Sequence, residues 1–236
     1  MRYTLLTEGS SDRVLLHIVN WMLEDLGCPS FEAQFADLSG LTKPVRTLRE
    51  KVQVALDYWP CDLLLVHRDA DRETREDRVS EIRRAGGWPV SLPVVFVVPV
   101  HMQEAWFLFD ECAIRRSVAR PTGRVPLGLP KLGEVERLGN PKARLNEVLR
   151  TASELRGRRL ERLDVSAAKR RLAELIADYA PLRLLQAFLL FENELRHALV
   201  QLQGGTTAEE VTTRVHPAGA IEPLQTPYLE NDEIGP

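Results

Sequence analysis

The sequence predicts an α/β protein: a mostly parallel sheet flanked by helices, followed by a helical C-terminal segment. Three observations carry this. Leu63 to Val66 is apolar throughout, is too short for a helix, and lies between Pro60 and a charged cluster, as a strand buried on both faces does. Val94 to Val98 repeats the pattern. Between the apolar runs, hydrophobic residues recur at helical spacing, so strands and helices alternate, and the connections make the sheet parallel with helices on both faces.

Arg2 to Thr7, with Tyr3, Leu5 and Leu6, is the first expected strand. It runs into Glu8-Gly9-Ser10-Ser11-Asp12, where Gly9 permits a sharp turn and a serine can cap the helix that follows. That helix carries Val14, Leu15, Ile18, Val19, Met22, Leu23 and Leu26 inward and stops at Gly27. Phe31 to Phe35 is a short second strand, and residues 43–58 read as a helix with Val45, Leu48, Val52, Ala55 and Leu56 inward. The Leu63 run is the third strand. Arg72 to Ala85, highly charged, is an exposed helix ended by Gly86-Gly87. After the fourth strand, Glu104 begins an amphipathic helix bearing Trp106, Phe107 and Phe109. Arg115 to Pro130, rich in Arg, Gly and Pro, reads as a linker. Three helices follow: Pro141 to Arg156 with Asn140 as N-cap, Ser166 to Ala177 capped by Ser166, and the apolar Pro181 to Gln203, ended by Gly204-Gly205. The domain reading is therefore an α/β domain over 1–115, a basic helical segment packing on it over 116–203, and an extended or disordered acidic tail over 204–236.

The strand ends carry the chemistry. Asp69-Ala70-Asp71 follows the third strand, and in extended chain its two carboxylates face one side, about 7 Å apart at their Cα atoms. Carboxyl ends of parallel strands are where open α/β sheets place their sites. Like charges so close repel unless a cation or proton lies between them, and Mg²⁺ or Mn²⁺ suits such oxygens. The structural alternative makes Asp71 the N-cap of the next helix and Asp69 a solvated turn residue. Glu8 also ends a strand, and a carboxylate just inside a buried strand's end needs a partner. Asp12 lies one helical turn on, facing the same way or serving the helix dipole. His67 and His101 stand nearby, each better explained structurally than as a ligand.

Composition frames the function. No apolar run approaches the roughly 20 residues that cross a bilayer, and the N-terminus does not read as a signal peptide. Three separated cysteines, Cys28, Cys61 and Cys112, read as reduced thiols of a cytoplasmic protein. The net charge of −3 alone argues against a nucleic-acid binder. Its distribution argues for one. Residues 1–114 hold 12 Lys and Arg against 18 Asp and Glu, residues 115–171 hold 16 against 6, and residues 172–236 hold 3 against 10. A basic middle of this kind is an electrostatic footprint for a polyanion, with Arg156, Arg158, Arg159, Arg162, Arg170 and Arg171 as the expected nucleic-acid-binding residues; the alternative is a set of solvated helix faces.

Glu8-Gly9-x-x-Asp12 after a first strand, Asp69-x-Asp71 after a central apolar strand and Glu104-x-Trp106 after the next resemble a TOPRIM domain, the metal-binding module of topoisomerases, primases and the OLD (overcoming lysogenization defect) nucleases. Their spacing is similar to that of small bacterial TOPRIM-like proteins related to OLD nucleases. The resemblance covers residues 1–115 by motif and runs more loosely through Asn140-Pro141-Lys142 to about residue 200. It implies that Glu8, Asp69 and Asp71 hold Mg²⁺ or Mn²⁺, with Asp12 standing where OLD nucleases often have glutamate and Glu104 as a further ligand. It also implies a lysine at the developing charge, for which Lys142 and Lys131 are candidates. OLD proteins join this domain to an ATPase, and the chain contains no P-loop sequence, so a separate ATPase partner is implied. The expected function is a metal-dependent nuclease in bacterial defence, its two metals activating water and stabilising the leaving oxygen. The alternatives are a non-hydrolytic metal-dependent nucleic-acid- or nucleotide-binding subunit and a phosphoryl-transfer enzyme acting on a small molecule. The apolar helix after Pro181 is a candidate homodimer surface.

Overall fold

The computed structural model describes residues 1–41 and 45–212, with side chains described through Gly204. By its contacts the chain falls into two units, Met1–Leu202 and Gln203–Pro236.

The first unit is built on a four-stranded sheet of order β2-β1-β3-β4, with β1 (Arg2–Leu6), β2 (Glu32–Ala36), β3 (Leu63–His67) and β4 (Val94–Val97). Every pairing is parallel; Leu5 stands opposite both Phe35 and Leu65, and Leu65 opposite Val95. Side-chain alternation along the strands divides the core in two. Tyr3, Leu5, Leu63, Leu65, Val95 and Val97 face one layer, built from α1 (Leu15–Asp25), α4 (Glu111–Ser117), α5 (Pro141–Ser153), α7 (Val165–Leu175) and the first turns of α8 (Gln186–Thr212). Leu6, Leu64, Val66 and Phe96 face the other, built from α2 (Leu48–Tyr58) and α3 (Arg75–Ala85). The α/β reading therefore holds, with helices on both faces of the sheet and a helical C-terminal region. Residues 116–202 belong to the larger of the two layers: Leu145, Val148, Leu172, Phe188 and Phe191 are in one cluster with Tyr3 and Leu65. Trp106 is the pivot of that layer, wholly buried and edge-on to Phe188 at 5.3 Å.

The outer edge of β4 is protected. Glu194 of α8 accepts from the Phe96 amide at 3.1 Å and pairs with Arg75 at 2.8 Å. This satisfies a backbone donor that an edge strand would otherwise expose.

Element boundaries move where cap chemistry outweighs periodicity. α2 begins at Leu48, not residue 43, because Thr47 and Glu50 form a capping box; residues 42–44 lie outside the described residues. α3 begins at Arg75 with Thr74 as N-cap, so Asp71 does not cap it. α7 is capped by Asp164, whose carboxylate accepts from Ala167, two residues earlier than the expected Ser166 cap. The expected helix at Glu104 is a short 3₁₀ turn, Gln103–Phe107. Arg115 is no linker residue: it lies buried in α4, bound to Glu111 and to the Val125 carbonyl. Gly204-Gly205 does not end the last helix, which runs to Thr212. Glycine weakens a helix by about 1 kcal/mol but keeps its N–H, unlike proline. So residues 204–212 are helical, and the expectation of a disordered tail over 213–236 lies outside the described residues.

Asn140 caps α5 as expected, its side chain accepting from Ala143 at 2.9 Å with Pro141 behind it. Asn140→Ala is expected to cost about 1 kcal/mol, lowering the melting temperature by about 2–4 °C for a chain of this size. Thermal unfolding followed by circular dichroism checks this, and an unchanged midpoint would show that the cap is idle.

Candidate functional site

The carboxyl ends of β1, β3 and β4 meet at one edge, and alternation sorts what they carry. On β3, Val66 belongs to the layer of α2 and α3, and Arg68 follows it to that side. There Arg68 Nε donates to Glu8 Oε1 at 2.6 Å, and its other end meets Glu81 of α3. Glu8 is the residue two places after Leu6 of that same layer, so the pairing follows from the register of β1 on β3.

Asp69 goes to the opposite side. Its Oδ1 accepts from the Gln103 amide at 2.9 Å, and Gln103 Nε2 donates to Asp12 Oδ1 at 2.5 Å. Asp12 is nine-tenths buried and also accepts from the Ser11 hydroxyl at 3.0 Å and the Gly9 amide at 3.2 Å. Gly9 itself is extended, with room for a Cβ, so no tight turn requires it. Glu104, equally buried, is held by Lys169 of α7 at 3.0 Å. One residue, Gln103, thus clasps two acidic side chains, and the next residue supplies a third.

Burial pushes Asp69 up to about 6, helped by the charges of Glu104 and Asp12 and opposed by His67 and the Gln103 amide. His67 is buried, with Nδ1 at 2.7 Å from the Val97 carbonyl and Nε2 at 3.6 Å from Asp69 Oδ1. A carbonyl only accepts, so Nδ1 carries hydrogen and Nε2 is the nitrogen turned to Asp69.

Asp71 stands apart. It is exposed, 3.9 Å from Arg78, with a left-handed backbone, φ 55°. His101 is left-handed too, φ 58°. The two lock reciprocally: the Asp71 amide donates to the His101 carbonyl at 2.9 Å, and His101 Nδ1 donates to the Asp71 carbonyl. Non-glycine residues in this region cost roughly 1–3 kcal/mol each and gather at functional sites.

Of the residues expected from sequence, the structure brings Asp12, Asp69 and Glu104 together. Glu8 has Arg68 as its partner instead, and Asp71 projects to solvent. Among the described residues, no three His, Cys, Asp or Glu side chains form a group that could hold a metal ion as they stand. Lys142 lines a cleft with Glu104, whereas Lys131 does not. Gln103 and Lys169 were not anticipated. For Lys169 a signal existed: Ser166, Lys169 and Arg170 are three and four residues apart, on one helix face. For Gln103 there was none, since an amide next to a glutamate has no distinctive pattern.

The arginines of the basic segment also divide. Arg115, Arg120 and Arg144 bind carbonyls and carboxylates of the same chain. Arg156, Arg158, Arg159, Arg162, Arg170 and Arg171 are exposed, and none pairs with a carboxylate among the described residues.

No helix among the described residues is long and apolar enough to cross a membrane. No family model, curated protein or solved structure matches the chain.

Proposed function

We propose that the protein is a Mg²⁺- or Mn²⁺-dependent nuclease of TOPRIM-like type, hydrolysing nucleic-acid phosphodiesters at Asp12, Asp69 and Glu104. The observation that carries this reading is the Gln103 clasp, which holds Asp12 and Asp69 side by side at the carboxyl edge of the sheet with Glu104 adjacent. Of these three carboxylates Glu104 is paired with an ammonium, that of Lys169. The donor set fits a hard cation: all its atoms are oxygens, and Gln103 Oε1 is buried with no hydrogen-bond partner among the described residues. Asp12, Asp69 and Glu104 would hold the cation, with side-chain rotation off Gln103. A bound divalent ion supplies Lewis acidity toward a phosphate oxygen and lowers the pKa of a water.

The chain's own residues do the rest. Lys142 and Lys169 offset negative charge beside Glu104, where a phosphate must approach. Arg68 keeps Glu8 ordered next to the site, and His67 turns Nε2 toward Asp69 Oδ1 at 3.6 Å. The exposed arginines provide the affinity that an acidic site cannot. In this proposal ATP hydrolysis belongs to a separate partner chain, the setting is the cytoplasm, and a role in defence rests on the resemblance alone.

A second reading has one observation in its favour. Glu8 and Glu104 are both already ion-paired, as suits a non-hydrolytic subunit that binds nucleic acid or nucleotide. Incubation with Mn²⁺ or Mg²⁺ and plasmid, single-stranded DNA or RNA separates the two. The nuclease reading expects cleavage that EDTA abolishes and that Asp12→Asn lowers by at least about 100-fold, the scale of losing one preorganised electrostatic contact. Tight binding with no cleavage of any of the three would leave the binding subunit.

A further inference from the structure

Beside the acidic site lies a cleft of about 350 Å³. Gln103 and Glu104 are among its lining residues, so it adjoins the carboxylates. Its lining joins apolar side chains, Val14, Phe107 and Leu145, to cationic ones, Lys142 of α5 with Lys169 and Arg170 of α7. Three serines, Ser10, Ser11 and Ser166, stand among the lining residues. Gln103 is nineteen-twentieths buried, lines this cleft, and has its Oε1 unpartnered. An orphaned buried acceptor is costly unless something donates to it, and a base N–H or sugar hydroxyl does.

We propose that this cleft receives one unpaired nucleotide of a single-stranded nucleic acid, its base against Val14, Phe107 and Leu145 and its phosphate on Lys142, Lys169 and Arg170. The inference rests on the nuclease reading only for where the cut falls; the binding stands by itself. Three things select this occupant. The volume lies at the small end of ligand cavities, enough for a nucleotide and too small for a base pair. A lining that combines apolar and cationic side chains matches a nucleotide's two halves, as in single-strand binding sites generally. Lys169 both lines the cleft and pairs with Glu104, so a phosphate on Lys169 is delivered to the carboxylates. Lys169 is then a positioning residue whose ammonium exchanges a carboxylate for a phosphate.

The test measures binding of the full chain in EDTA by fluorescence anisotropy, with a labelled dT12 strand and a 12-base-pair blunt duplex as probes. The expected result is at least tenfold tighter binding of dT12 and competition by free dTMP. Ser166→Trp fills the cleft from an exposed position and is expected to remove the dT12 preference while leaving duplex binding unchanged. Lys142→Glu with Arg170→Glu is expected to weaken dT12 at least tenfold. Arg84→Glu, on the opposite face of the sheet, is expected to change neither, and melting curves verify folding. Equal binding of the two probes, or a Ser166→Trp variant that retains the preference, overturns the proposal, as does absence of dT12 binding. Failure here with metal-dependent duplex cleavage intact overturns the cleft reading alone. A preference for dT12 without cleavage overturns the nuclease reading alone.

Discussion

Asp69→Asn is expected to melt higher than the wild type in EDTA while losing metal-dependent cleavage. Asn keeps the oxygen that accepts from the Gln103 amide and removes the charge that burial opposes. The sign follows from linkage. Asp69 titrates at about 6 in the folded chain, against about 3.9 for an aspartate in unfolded chain. Between those values the folded state binds more proton, so stability falls as pH rises through that window, and above about 6 the whole penalty is present. A tenfold change in proton affinity is worth about 1.4 kcal/mol, so the gap between the two states amounts to about 3 kcal/mol. With Asp69 about a quarter exposed, solvent screening reduces the recovery to roughly 2 kcal/mol, or about 4–8 °C at neutral pH. At pH 4 the two proteins should converge. The measurement is the melting temperature in EDTA from pH 4 to 8, paired with cleavage in Mn²⁺. A variant no more stable than wild type at pH 7.5 would mean that burial does not oppose the Asp69 charge. Equal cleavage would place the chemistry elsewhere.

The second large effect concerns Arg158, Arg159 and Arg162, which lie at the short helix α6 (Arg158–Glu161) and its cap, exposed and without carboxylate partners among the described residues. Guanidinium groups in that state stay charged and fork onto phosphate oxygens. Replacing all three with Glu is expected to weaken nucleic-acid binding by on the order of 100-fold at moderate salt, and to reduce the slope of log K against log salt by about two, at 0.7–0.9 per phosphate contact. The loss should be the same for every sequence, because phosphates carry no base information. Binding titrations from 50 to 300 mM salt check this. An unchanged slope would make these arginines a solvated face and leave the cationic side chains lining the cleft as the source of affinity.

Much of the fold was legible in the chain. Leu63 to Val66 and Val94 to Val98 are apolar because both faces of β3 and β4 are covered, and burial on two faces leaves a continuous run in the sequence. The parallel order followed from the alternation of strands with helices, since each connection is long enough only for a crossover. The acidic character of the strand ends was equally plain. Caps were less so: Thr47, Thr74 and Asp164 each outcompete a neighbour that periodicity alone would choose, by a hydrogen bond that one residue's shift would lose.

What the tertiary structure alone decided is which acids meet. Sequence spacing puts Asp69 and Asp71 on one side of an extended strand, but β3 ends at His67 and Asp71 turns left-handed, so the alternation no longer applies there. Register then sets Glu8 against Arg68, one place before Asp69 and on the other face of the sheet. Asp12, Asp69 and Glu104 come together through Gln103, a residue with no charge and no motif, whose position depends on how the 3₁₀ turn after β4 meets the segments that follow β1 and β3. Composition and periodicity report what a residue is and which face it takes. Hydrogen bonds between residues 91 positions apart report which faces are neighbours, and only the folded chain contains them.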